Sequence, residues 1–366
     1  MRIVHLSDIH LSKQNYTEFQ NNFKDALIKD LLDYHSLVPI DLIIITGDLV
    51  DKGGHSLFEI DEFKNFKDKK SPYEIFEEVF LNPIISCLRF PKNNILFIPG
   101  NHDVDEREIL LFDESELVKK VNDVNINDYL IGNRSFIHNH RIKKFKDFER
   151  KFHSDNSFYE YSNNQSTYIY QDKDGLVGFL LINDSWRCKS IKFQNEKKLY
   201  FGAQQIIDGL KFLENRNTDL NICLFHHSTD DFEEKEIIEG LFTRKKIELF
   251  LNGHFHSTKT NVFHTPHGYC QGFRSRATLF KPEEILNEFQ SGYQIIDVDV
   301  LNYKISAIHY RKYNNNEKAK QFISDNETAP NDGIDRNIVN GNKGFPFHRE
   351  NRVKPLMNYD KKDFKL

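Results

Sequence analysis

The chain has 366 residues, with 50 Lys and Arg against 55 Asp and Glu, a formal charge of −5, and 39% hydrophobic residues. That length allows one large core or two to three domains, and the acidic balance gives no overall electrostatic reason to expect nucleic-acid or anionic-membrane binding. The four cysteines are far apart and form no CxxC pair, which reads as reduced thiols, and no apolar run approaches the ~18 residues of a membrane span.

The predicted elements recur in one rhythm. "RIVHLSDIH" is a short β-branched run ending at Asp8 and His10. It leaves no room for a signal peptide, so a cytoplasmic protein is expected. Helical "YTEFQNNFKDALIKDLLDYH" follows, then the run "DLIIITGDLVDKGG", which ends at Asp48. A second helical pattern, "SPYEIFEEVFLNPIISCLRF", leads into "NILFIPGNHD" and its Asn101, His102 and Asp103. "GLVGFLLINDSWR" runs into Asn183, Asp184 and Ser185. Helical "GAQQIIDGLKFLENR" precedes "LNICLFHHS", with His226 and His227, and "RKKIELFLNGHFHS" closes the series at His254 and His256. Strands alternating with helices predict an α/β fold with a largely buried sheet. In such sheets ligands gather just past the carboxyl ends of the strands, where all these clusters fall.

Two regions break the rhythm. Residues 104–166 read as a partly helical insertion within a domain spanning 1–313. "GYQIIDVDVLNYKISAIHYRKY" reads as a hairpin turning at Leu301 and Asn302. Residues 314–366 are rich in Asn and Lys and read as a polar tail, extended or docked on a protein partner. The basic strip "RIKKFKDFERKFH", Arg141 to His153, reads as a solvated helix face, with nucleic-acid contact as the alternative.

The strand-end groups are Asp8, His10, Asp48, Asn101, His102, His226, His227, His254 and His256. Imidazoles and carboxylates without a thiolate suit Mn, Fe or Zn. On a strand end, residues i and i+2 share a face, so a D-x-H or H-x-H pair can aim two side chains at one or two ions. Asp48 adds a carboxylate able to bridge, and two ions ~3.5–4 Å apart form a clamp for in-line displacement at phosphorus.

A single pair arises by chance in most long chains. The ordered series "SDIH", "GDLVD", "GNHD", "HH" and "GHFH" does not, and it resembles the five-part signature of the calcineurin-like metallophosphoesterases over roughly 1–313. The resemblance implies a four-layer α/β/β/α sandwich with two divalent transition-metal ions. One ion would be held by Asp8, His10 and His256, the other by Asn101, His226 and His254, with Asp48 bridging. A bridging hydroxide would be the nucleophile. His102 would sit beside the phosphate as electrophile or general acid, oriented by Asp103. His226, the first His after its strand, is the expected ligand and His227 the alternative. His227 and His55 are candidate substrate contacts.

"NDSWR" followed by "FGAQQIIDGLKFL" resembles the segment that cyclic-nucleotide and glycerophosphodiester phosphodiesterases of this superfamily carry before their His block. The expected substrate is therefore a nucleotide-type phosphodiester: a cyclic nucleotide, a dinucleotide or nucleic acid. A DNA or RNA nuclease, in a bacterial defence or signalling assembly, is the alternative. A non-catalytic scaffold is a further alternative; relatives of that kind typically lack His102 or a ligand, and both are present here.

Overall fold

The apolar runs become the central strands of two seven-stranded sheets. The computed structural model describes residues 1–109, 125–132, 140–188, 199–245, 247–279, 290–316, 319–336 and 338. In the first sheet β1 (Arg2–Leu6), β2 (Leu42–Thr46) and β3 (Ile95–Ile98) run parallel. β11 (Gly292–Asp299), β12 (Lys304–Asn316) and β13 (Ala319–Ser324) extend it antiparallel from the other side of β1. In the second sheet β6 (Gly175–Ile182), β7 (Leu220–Leu224), β8 (Leu249–Asn252) and β10 (Gly268–Arg274) are parallel neighbours. β5 (Gln165–Asp172) pairs with β6 and carries β4 (Tyr159–Glu160) at one edge, and β9 (Lys259–Thr265) closes the far edge.

Alternation along each strand sorts side chains between layers. Leu42 and Ile44 of β2 meet Phe179, Ile222 and Leu251 of the other sheet, forming the core between the sheets. Ile43 and Ile45 face outward, onto Phe19, Phe23 and Leu27 of the helical stretch 13–37. On the far side Leu180, Cys223 and Phe250 pack against the helices Gln204–Asn215 and Lys235–Arg244. The result is the α/β/β/α order, with strands buried on both faces, which is why they read as unbroken apolar runs instead of alternating ones. Each fully buried Leu, Ile or Phe contributes about 1.5–3 kcal/mol relative to exposure.

Within the expected insertion, the helix Lys143–Phe152 lays Phe145, Phe148 and Phe152 against Phe97 of β3. The basic strip carried by this helix is largely neutralised. Lys144 pairs with Asp105, Lys151 with Glu74 and Lys143 with Asp147, while Lys146 is buried against Glu149. Arg141, also buried, donates to the Cys188 carbonyl at 2.9 Å.

The boundary expected at residue 313 does not match the structure. β12 continues to Asn316, β13 pairs with it, and Ile334–Asp335 pairs with its other end. Phe322 is buried against Phe23, Tyr293 and Tyr313. The polar company of "AKQFIS" hides a strand with one buried side chain among its described residues, the aromatic Phe322. The rest of the expected tail, 339–366, lies outside the described residues, as do 110–124 and 133–139 of the insertion. Among the described residues, no helix is long and apolar enough to cross a membrane.

Candidate metal centre

Seven expected ligands come together at the carboxyl ends of five strands. Asp8 and His10 follow β1, Asp48 follows β2 and Asn101 follows β3, all from the first sheet. His226 follows β7, and His254 and His256 follow β8, from the second. The site therefore straddles both sheets.

The local backbone differs from the expected extended pairs. Asp8 (φ 51), His10 (φ 48), Asp48 (φ 56), His254 (φ 75) and His256 (φ 54) are all left-handed. Left-handed backbone is uncommon outside glycine and costs free energy, so five instances in one cluster mark a strained site held by its surroundings. Each strand ends and the chain curls, so the side chains converge by turning, not by sharing a pleat.

Glycine makes this crowding feasible. A Cβ on Gly47 (φ +92) would stand 2.4 Å from His226 Nδ1, and one on Gly100 would stand 2.2 Å from Asp48 Oδ1. The G of "GD" and "GN" is thus a packing requirement.

The donor atoms fall into two groups. His10 Nε2 lies 3.2 Å from His256 Nε2, and Asp8 Oδ1 lies 3.4 Å from His256 Nε2. On the other side, Asn101 Oδ1 lies 3.0 Å from both His226 Nε2 and His254 Nδ1. Asp48 stands between the groups: its Oδ2 is 3.6 Å from His10 Nε2 and 3.3 Å from His226 Nε2. Asp8, His10 and His256 have ligand atoms within 4.8 Å of one another, and so do Asp8, Asp48 and His226.

A second ring of contacts aims these atoms. His226 Nδ1 donates to the Thr46 carbonyl at 2.7 Å, which turns the Nε2 lone pair toward the cluster. Asp8 Oδ2 accepts from Ser7 Oγ at 2.5 Å and from the His254 amide at 3.0 Å. Asp48 Oδ1 accepts the His102 amide at 2.7 Å, leaving Oδ2 for the cluster.

The donor set fits divalent cations. Burial alone would lower His226, yet Asp48 and Asp8 raise it to about 9. The buried carboxylates thus demand positive charge, which ligating cations would meet in place of the proton. Burial, reinforced by His227 and His226, lowers His254 to about 2, so this imidazole keeps its lone pair.

His227 comes near His226 and His254, but its nitrogens are engaged elsewhere. Nδ1 is 3.0 Å from Asp184 Oδ2 and Nε2 is 3.5 Å from Cys188 Sγ. Asp184 also accepts the backbone amides of His226 and His227, at 3.0 and 2.8 Å, fixing the strand exit that presents His226. His55 is held by Asp105, 2.8 Å away.

The partner of His102 differs from the expected one. His102 Nδ1 lies 2.6 Å from Asp51 Oδ1, not against Asp103. Asp103 is buried and accepts the amides of Gly100, Leu49 and Val50, tying the β2 and β3 exits together. Burial and the Asp48 carboxylate push Asp103 up to about 7. The resemblance implied Asp103, but adjacent residues on a tight 3-10 turn point in different directions. The available signal was the second Asp of "GDLVD", three residues after Asp48 on the facing loop. Asp184 was visible only as a strand-end carboxylate.

An α/β/β/α sandwich carrying imidazoles, carboxylates and an amide across its strand ends defines a metallophosphoesterase. The chain belongs to the calcineurin-like phosphoesterase family, whose model matches residues 1–258. That family comprises hydrolases of phosphoric esters that use a dinuclear divalent-metal centre. The uncharacterized metallophosphoesterase-like protein YydB of Bacillus subtilis is 26% identical over 280 residues, 72% of this chain and 50% of that protein. The chain thus spans about half the length of this curated relative. Among solved structures, a dimetal phosphatase from Danio rerio superposes with a TM-score of 0.42 at 11% identity, covering 85% of this chain and 95% of the other. The calcineurin-like phosphoesterase YfkN from Bacillus subtilis gives 0.41 at 11% identity, covering 88% of this chain and 87% of the other.

Proposed function

We propose that the chain is a dimetal phosphodiesterase acting on a nucleotide-type phosphodiester: a cyclic nucleotide, a dinucleotide or nucleic acid. The observation that carries this reading is the Asp48 carboxylate standing between two ligand groups, with His102 fixed beside them. Asp8, His10 and His256 would hold one cation and Asn101, His226 and His254 the other, with Asp48 placed to serve both. When bound, two ions of Mn, Fe or Zn supply an acidified water as nucleophile and neutralise the phosphoryl oxygens.

The chain's own residues supply position and a proton. Asp51 accepts the Nδ1 proton of His102, which fixes the orientation of the ring. Nε2 then donates a proton to the departing ester oxygen as the bond to phosphorus breaks. Asp103 serves the loops instead of the imidazole. The segment Asn183–Arg187, whose likeness suggests a diester, lies against the cluster through Asp184. The neutralised strip on Lys143–Phe152 lends no support to a long nucleic-acid track. Four unpaired cysteines, Cys87 exposed, agree with a reducing, cytoplasmic setting.

The test loads purified protein with Mn²⁺, Fe²⁺ or Zn²⁺ and compares bis(p-nitrophenyl) phosphate with p-nitrophenyl phosphate. Faster hydrolysis of the diester is expected. Preference for the monoester would overturn the diester reading and keep only the broader phosphoesterase one.

A further inference from the structure

The loop between β8 and β9 carries an aromatic side chain that the ligand set does not use. Phe255 stands between His254 and His256 and is 41% exposed. Single exposed phenylalanines are ordinary, so exposure alone implies nothing. This ring, however, is held in place. The Arg274 guanidinium lies over it, 4.8 Å from its centroid, and the His254 ring meets it at 5.0 Å with an interplanar angle of 79°.

Arg274 ends β10 and is itself fixed. Its Nε donates to the Ser257 carbonyl at 2.7 Å and its Nη2 to Ser257 Oγ at 2.9 Å. Burial lowers its pKa, and the carboxylates of Asp8, in the cluster, and Asp231 oppose that shift. An aromatic face backed by a guanidinium and set beside phosphate-binding ligands suits a flat group attached to a phosphate. Because Arg274 already orders the ring, little conformational entropy remains to be lost on stacking.

We propose that Phe255 and Arg274 form a nucleobase-stacking platform at the rim of the metal cluster, seating the base of a substrate whose phosphate lies among the ligands. The assignment rests on the nucleotide reading above for its substrate class. It does not depend on which bond the enzyme cuts.

The kinetic test uses two esters with the same leaving group, thymidine 5′-p-nitrophenyl phosphate and methyl p-nitrophenyl phosphate. In each, water displaces p-nitrophenol and a monoester remains, so only the nucleoside differs. The ratio of kcat/KM, nucleoside ester over methyl ester, is expected to fall about tenfold in Phe255→Ala. Phe255→Tyr should keep the wild-type ratio. An unchanged ratio in Phe255→Ala overturns the platform.

A binding test requires no turnover. Metal-loaded protein is titrated calorimetrically with AMP and with inorganic phosphate. AMP is expected to bind wild-type protein about tenfold tighter than phosphate, with that advantage lost in Phe255→Ala. Equal affinities in the wild type overturn the proposal. If neither ester is cleaved while AMP keeps a Phe255-dependent advantage, the phosphodiesterase reading falls and the platform stands.

Discussion

Two aspartates near His102 have separate tasks. Asp51 meets the imidazole at 2.6 Å, whereas Asp103 binds three backbone amides. Their substitutions should therefore fail differently. His102→Ala is expected to lower kcat by about 10²–10⁴-fold, the range for a lost general acid, with metal content near wild type. Asp51→Asn should lower kcat by about 10–100-fold through a loosened imidazole. Asp103→Asn should instead lower unfolding free energy by about 1–3 kcal/mol, because buried amides lose an acceptor. Kinetics, elemental analysis and urea unfolding on the three variants check this. Loss of metal in parallel with activity in His102→Ala would make His102 a ligand.

At the scale of elements, the helix Lys143–Phe152 ends on a residue with an unusual cost. His153 stacks on Tyr159 with ring centroids 3.8 Å apart, and neither ring nitrogen has a hydrogen-bond partner among the described residues. Burial, with help from Lys92 and Lys146, lowers its pKa to about 3 from 6.5. The folded state thus binds this proton less readily than the unfolded chain. The stability from keeping His153 neutral is complete above pH ~6.5 and is lost as pH falls toward ~3. His153→Phe keeps the stack and removes this titration. Between pH 7 and pH 5 the variant should lose about 2 kcal/mol less unfolding free energy than the wild type. Parallel urea-stability curves over that interval would refute this account.

At the scale of the whole molecule, the cluster joins two sheets. Asp8, His10, Asp48 and Asn101 come from one, and His226, His254 and His256 from the other. Ions bound there cross-link the two inner layers, so they should stabilise the fold as well as serve the reaction. With free metal at 100 to 1,000 times Kd, each independent site adds roughly 3–4 kcal/mol. Chelation should therefore lower Tm in calorimetry and abolish hydrolysis, and readdition should restore both with about two ions per chain. An unchanged Tm on loss of both ions would show that the sheets hold the site without them.

Much of this was legible in the linear chain. Buried parallel strands must be apolar on both faces, so "DLIIIT" and "NILFI" announced themselves, and the polar groups directly after them announced the ligands. Strand position in the sequence favours His226 over His227, and only the structure shows Asp184 and Cys188 against the second ring. The partner of His102 required knowing that the β2 and β3 exits face each other, because side-chain direction on a tight turn is not readable from adjacency. β13 stayed hidden because its burial depends on Phe322 meeting Phe23, nearly 300 residues earlier. Composition, the positions of the apolar strands along the chain and ligand chemistry are local properties, so the sequence by itself determined them. Backbone handedness at the ligands, ion pairing of the basic strip, and the setting of Phe255 under Arg274 depend on long-range contacts. Only the tertiary structure decided those.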